Sequence, residues 1–262
     1  MSPQSPKTVY SVAVELGAAK SGSIPPTLSR AIHACVMHWF EVADREIATA
    51  IHNSQNSPIS LSGLIGHRRR RGTKAGDRFT IRIGLLDGSL IQPLLQGIET
   101  SDARSLELAE FPFAVRNVYA LPGTHRLARS ADYELLANLP AIDRDIVLNF
   151  LSPTSFKQQQ TIQPFPLPEL VFGSLQRRWN QFAPEPLQFP DVEWQGTIAA
   201  YDLKTYALKM KSNSEIGAQG WVKYRFRDRH QLKIATVLSH FAFFAGVGRK
   251  TSLGMGQTML DR

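Results

Sequence analysis

With 262 residues, 43% of them hydrophobic and 20% charged, the chain has the composition of an ordinary globular protein and the length for two compact domains, which excludes a disordered or fibrous class. Its 30 Lys and Arg outnumber 22 Asp and Glu, for a net charge of +8 and a pI near 9.8, so an anionic partner is expected, nucleic acid ahead of membrane. The one cysteine, Cys35, excludes an intramolecular disulfide or a multi-cysteine zinc site, and with no apolar signal core in MSPQSPKTVY and no apolar run near the ~18 residues of a membrane span, a cytoplasmic protein is expected.

In chain order, Val9 to Leu16 alternate and are rich in β-branched residues, which reads as a first strand. PPTLSRAIHACVMHWFEVA follows, with Leu28, Ile32, Cys35, Val36 and Trp39 at helical spacing, and Asp44 then caps a short second helix that ends near His52. Ile59–Ile65 and Phe79–Leu85 read as strands on either side of the basic stretch HRRRRGTKAGDR. A helix is expected over Asp87–Ile98, with Pro93 as a flaw, and a returning strand over Phe111–Leu121. The order β, α, β, β, α, β is the ferredoxin-like pattern.

Residues 130–145, with scattered Pro, Asp and Ala, read as a linker between a domain of residues 1–129 and one of residues 146–262. The second cycle has a strand at Ile146–Leu151, a helix at Pro168–Phe182 with Leu170, Phe172, Leu175 and Trp179 on one face, and one long or two paired strands over Val192–Lys211. A strand at Gly220–Phe226, an apolar helix at Gln231–Ala245 and a closing strand at Gly256–Leu260 complete it. The expected architecture is α+β, two ferredoxin-like (RRM-like) domains in tandem. The second part is the more basic: residues 151–262 hold 14 Lys and Arg against 8 Asp and Glu, residues 1–150 hold 16 against 14.

The most specific motif is the doubled glycine segment GVGRKTSLGMG, Gly246, Gly248, Gly254 and Gly256 around Arg249, Lys250 and Ser252. Glycines let a backbone approach a phosphate and reach positive φ, and consecutive N–H groups with flanking cations bind anionic oxygens. A Walker nucleotide loop is excluded, because the position before the Lys-Thr pair is Arg249 rather than glycine. Arg68, Arg69, Arg70 and Arg71, extended by His67, Lys74 and Arg78, form a second candidate for gripping RNA phosphates. Lys157, Arg177 and Arg178 are weaker ones. No Cys, His or carboxylate spacing marks a metal site, and no cofactor is implied. A generic RNA-recognition module would carry an aromatic KGFGFVxF-like strand, which is not present.

The glycine segment resembles the signature loop of the repeat-associated RNA-binding (RAMP) superfamily of CRISPR systems, specifically the sixth Cas family, whose members cleave precursor CRISPR RNA within each repeat. FLSPTSFK at Phe150–Lys157, LPELVFGSLQRRWNQF at Leu167–Phe182 and GWVKYRF at Gly220–Phe226 are similar to that family and stand in its order. In the N-terminal half, Glu46-Ile47-Ala48-Thr49-Ala50-Ile51-His52 resembles the family's ELAxxLH stretch. The resemblance implies metal-independent cleavage by a ribose 2′-OH, with CRISPR repeat RNA as partner and His52 as the catalytic histidine, a residue whose ordinary pKa suits proton transfer near neutral pH. It also implies a place for the product in a Cascade-like effector complex, or, as an alternative, a non-catalytic RNA-binding subunit of such a complex. The sequence departs from the family at the positions of its tyrosine and lysine, which fall near Met37 and Ser57; Arg30 and His33, three apart on one helical face, are the candidates for supplying charge instead.

Overall fold

The structure, a computed structural model, describes residues 7–67, 72–101, 106–143, 145–209 and 214–261. The chain divides into two compact units, residues 1–130 and 131–262.

The first unit runs β1 (Thr8–Ala18), α1 (Ser29–Ala43), α2 (Arg45–Asn53), β2 (Ile59–Leu61), β3 (Arg78–Leu85), α3 (Ile91–Thr100), β4 (Leu106–Leu108) and β5 (Phe111–Tyr119), with β6 (Arg129–Asp132) at the junction. Its antiparallel sheet has the order β2-β3-β1-β5-β4. Taking β2, β3, β1 and β5 as second, third, first and fourth strands gives the ferredoxin-like order. The alternation seen in the sequence follows the pleat: Val12, Val14 and Leu16 of β1 and Ile81, Ile83 and Leu85 of β3 enter one core with Ile32, Val36, Trp39 and Phe40 of α1. The other face of β1 is also closed off near Ser11, whose hydroxyl donates to the Leu127 carbonyl at 2.7 Å. Pro93 is tolerated because a short 3₁₀ turn, Gly88–Leu90, leads into α3 and leaves the proline in its first turn, where no helical N–H bond is lost.

The second unit contains α4 (Tyr133–Ala137), β7 (Ile146–Thr154), a small hairpin of β8 (Phe156–Gln158) and β9 (Thr161–Gln163), α5 (Pro168–Phe182), β10 (Thr197–Lys209), β11 (Ser214–Arg225), α6 (Arg229–Ala245) and β12 (Thr258–Leu260). Its sheet order, β10-β11-β7-β12, repeats the ferredoxin-like order of the first unit. The chain is thus a tandem of two ferredoxin-like folds. Helix α5 buries Val171, Phe172, Leu175 and Trp179, and α6 buries Ile234, Val237, Leu238 and Phe241.

Residues 131–145, expected to be a linker, belong instead to the second unit. Tyr133 is fully buried, with its ring 5.0 Å from that of Trp179 and 5.9 Å from that of Phe241. Each such aromatic pair adds about 0.5–1.5 kcal/mol beyond the area it buries, so α4 is an anchored helix rather than a tether. The segment reads as a linker in sequence because its anchors, Tyr133, Leu136 and the Asp145–Arg225 pair, are too scattered to show a stripe.

Candidate functional site

The glycine segment is the connection from α6 to β12. Its four glycines all have positive φ: 69° at Gly246, 78° at Gly248, 87° at Gly254 and 70° at Gly256. Two of them also leave no room for a side chain. A Cβ on Gly256 would stand 2.0 Å from the Val247 carbonyl oxygen, and one on Gly248 would stand 2.3 Å from that of Ser155. Lys250 holds the left-handed conformation without being glycine, at φ 54°, and its carbonyl accepts from the amides of Leu253 (2.9 Å) and Met255 (3.3 Å). Such a conformation in a non-glycine residue costs about 1–2 kcal/mol and persists only where its surroundings impose it.

The surroundings come from two of the other C-terminal motifs, FLSPTSFK and LPELVFGSLQRRWNQF, as well as the loop. The Arg249 amide donates to the Ser155 carbonyl at 3.0 Å, the Gly256 amide to Pro153 at 3.1 Å, and the Gly248 amide to the Ser174 hydroxyl at 3.2 Å. Val247 donates to Gly256 across the loop at 2.8 Å. The expectation that a run of loop amides would cradle a phosphate is therefore corrected for Val247, Gly248, Arg249, Met255 and Gly256, whose N–H groups are bound within the protein. What the glycines provide is close backbone packing that presents Arg249 and Lys250 at the surface.

Arg178 requires a further correction. It is not a surface cation but lies buried beneath the loop, its Nη1 donating to the Ala245 carbonyl and to the Thr251 hydroxyl, each at 2.5 Å. Burial lowers its pKa to about 10, so it stays charged at neutral pH and sits at the negative C-terminal end of α6. A buried charge is tolerated only with such partners, which makes Arg178 a clamp between α5, α6 and the loop. Its neighbour Arg177 points outward and is exposed, as is Lys157 on β8. Ser252 is half-exposed in the short 3₁₀ turn Thr251–Leu253.

Arg249 and Lys250 are partly exposed and share a partner. Glu215, on β11, lies 3.5 Å through Oε1 from Arg249 Nε, while its Oε2 is ion-paired with Lys250 Nζ. Sequence reasoning missed this carboxylate. The only signal for it is an acidic residue between GWVKYRF and the lysines near 209–211, and nothing in the spacing tells that the strand register carries it to the loop.

In the first unit, Asp44 ends α1 and caps α2, its Oδ1 accepting from the amides of Glu46 (2.8 Å) and Ile47 (3.2 Å). This puts His52 in the last turn of α2, with its imidazole exposed. Helices α1 and α2 pack against each other. Arg30 is exposed and His33 half-buried on the first turns of α1, one face shared with half-buried Met37. Ser57 is engaged locally, its hydroxyl donating to the Ile59 carbonyl at 3.3 Å. Arg68, Arg69, Arg70 and Arg71 lie outside the described residues, whereas Arg78 is paired with Glu15 at 3.5 Å. Among the described residues, no group of three or more His, Cys, Asp or Glu is placed to hold a metal ion.

Residues 148–258 match the family model described as CRISPR-associated endoribonuclease Cas6. The same description belongs to a Streptococcus thermophilus protein that is 27% identical over 118 residues, 43% of this chain and 49% of that protein, so the alignment spans about half the length of this curated relative. Two solved Cas6 product complexes resemble the whole chain. One, from Thermus thermophilus, has a TM-score of 0.82 at 23% identity, and the other 0.78 at 26%; each comparison covers 97% of this chain and 100% of the other. The second unit thus carries a Cas6 family match, and the chain shares the fold of solved Cas6 structures. The Cas6 match takes in the whole glycine loop and every residue that braces it, Ser155, Ser174, Arg178 and Glu215. His52, Arg30 and His33 lie outside the matched residues, in the unit where the Cas6 likeness is one of fold.

Proposed function

We propose that this chain is a metal-independent endoribonuclease that binds CRISPR repeat RNA and cuts precursor CRISPR RNA into guide RNAs. The observation that carries this reading is the Cas6 family match over residues 148–258, which contains the braced loop and its two cations. In the reaction, the ribose 2′-oxygen attacks the adjacent phosphorus as its proton passes to a base. The P–O5′ bond breaks and the leaving oxygen takes a proton from an acid, giving a 2′,3′-cyclic phosphate and a 5′-OH. His52, exposed at the end of α2, is the residue assigned to this proton transfer, since a histidine both takes and gives a proton near neutral pH. Arg30 and His33 supply positive charge as negative charge builds on the phosphorus oxygens. Arg249 and Lys250 hold backbone phosphates, with Arg68 to Arg71 as a second grip and Lys157 and Arg177 as peripheral cations. No cofactor enters these steps.

One observation favours a second reading, a non-catalytic RNA-binding subunit of a Cascade-like effector complex. Met37 and Ser57 stand where the family resemblance places a tyrosine and a lysine, and neither stabilises phosphorane charge. Incubating the purified protein with its repeat RNA in EDTA separates the two. One discrete cut is the expected result; tight binding without any cut establishes the binder.

A further inference from the structure

Four side chains meet behind the glycine loop. Glu215 is only 7% exposed, and its Oε1 accepts from the Ser155 hydroxyl at 2.6 Å while also facing Arg249; its Oε2 takes the Lys250 ammonium. Burial on its own would raise the pKa of this carboxyl. Hydrogen bonds from Lys250 and Ser155, with the charges of Arg249 and Lys250, outweigh it and hold the group below the usual carboxylate range. Glu215 is therefore ionised at neutral pH, and the trio carries one net positive charge where the loop sequence shows two. Arg249 and Lys250 remain 34% and 25% exposed, so both can reach an incoming anion. The contact to Arg249 runs through Nε, and an arginine carries four further N–H donors on its terminal nitrogens. Lys250 reaches the carboxylate from a left-handed backbone, a conformation that the ion pair helps to hold.

We infer that Glu215 is the internal counter-ion of the glycine loop, holding Arg249 and Lys250 in place in the free protein and competing with an RNA phosphate for their charge. This rests on the reading of the loop as a phosphate contact. It makes Glu215 a positioning residue that binds no RNA itself and limits the loop to the pull of one net cation. Two consequences follow from the charge count. Removing either cation leaves the other neutralised by Glu215, so a single substitution takes the cluster from one net positive charge to none, and the double substitution leaves the carboxylate unopposed. Removing the carboxylate charge without its shape releases the second cation; Glu215→Gln does this, because the amide oxygen still accepts from Ser155.

The test is repeat-RNA affinity across salt concentrations for the wild type, Glu215→Gln, Arg249→Ala, Lys250→Ala and the double alanine variant. Glu215→Gln is expected to bind about three- to tenfold tighter at low salt, with a slope of log K against log salt steeper by about 0.7–0.9, the increment for one more neutralised phosphate. Each single alanine is expected to lose about as much as Glu215→Gln gains, and the double variant to lose more, because its carboxylate then stands unopposed. Wild-type affinity and slope in Glu215→Gln overturn the inference. So does an unchanged salt slope in Glu215→Ala, a second variant that removes the same charge and stands in if Glu215→Gln fails to fold. If the double variant binds as tightly as the wild type, the reading of the loop as a phosphate contact fails instead.

Discussion

The glycine loop and the histidine helix are held in opposite ways. The loop is tied at Pro153, Ser155, Ser174, Arg178 and Glu215, and two of its glycines have a carbonyl oxygen where a Cβ would stand. His52 sits on the exposed end of a nine-residue helix held by one capping aspartate and by packing against α1. A binding surface that must present two cations gains from being over-determined, whereas a proton-transfer group needs access to the reacting atoms. Substitutions in the loop should thus register first in stability and affinity, and substitution of His52 in chemistry alone.

The largest expected effect is on rate. His52→Ala should slow single-turnover cleavage by about two to four orders of magnitude while leaving RNA affinity within a small factor, as for a group acting only in the transition state. Equal losses in rate and affinity would place His52 in binding and dissolve the contrast between the two regions. Next in size is the stability of the loop. Gly256→Ala must accept both a positive φ and a 2.0 Å approach to the Val247 oxygen, and Arg178→Ala orphans the Ala245 carbonyl and the Thr251 hydroxyl. Each should cost about 3 kcal/mol in denaturant unfolding, and an Arg178→Ala protein of wild-type stability would return that residue to the surface.

Acid should expose the Glu215 cluster. Its carboxyl titrates below the ordinary value in the folded protein, so its contribution to stability is complete above the unfolded value near 4.5 and is lost as pH falls through the lower folded value. The melting temperature of Glu215→Gln should accordingly fall less steeply than that of the wild type as pH drops below about 4.5; parallel curves would mean that the carboxylate adds nothing. The smallest effects belong to the exposed cations outside the loop. Lys157→Ala and Arg177→Ala should each weaken RNA binding by no more than about twofold at 0.15 M salt, where exposed charges are well screened. A tenfold loss at either would extend the interface across β8 and α5.

The fold was legible in the sequence to the extent that periodicity reports it. The helix expected over Pro168–Phe182 has those bounds in the structure; of the two readings of Val192–Lys211, one long strand stands, as β10, and the strand expected over Gly220–Phe226 begins earlier, at Ser214, as β11. Short elements escaped: β4, β6, α4 and the β8–β9 hairpin are each five residues or fewer, too brief for an alternation or a helical stripe to show. Of the candidate site, the glycine positions were legible because positive φ restricts residue type locally. Arg178 was misjudged and Glu215 missed for the same reason: whether a charged residue points into a protein depends on packing between distant segments, and the adjacent pair Arg177-Arg178 splits between solvent and core on one turn of α5.

On the proposed function, the chain cuts RNA by attack of a ribose 2′-OH. The measurement that tests it most directly is cleavage, in EDTA, of repeat RNA carrying one 2′-deoxy substitution on the nucleotide 5′ of the cut, with affinity measured alongside. This RNA is expected to bind as tightly as the unmodified one and to go uncut, while the unmodified RNA yields a product ending in a 2′,3′-cyclic phosphate. Cleavage of the deoxy RNA at the wild-type position would contradict it.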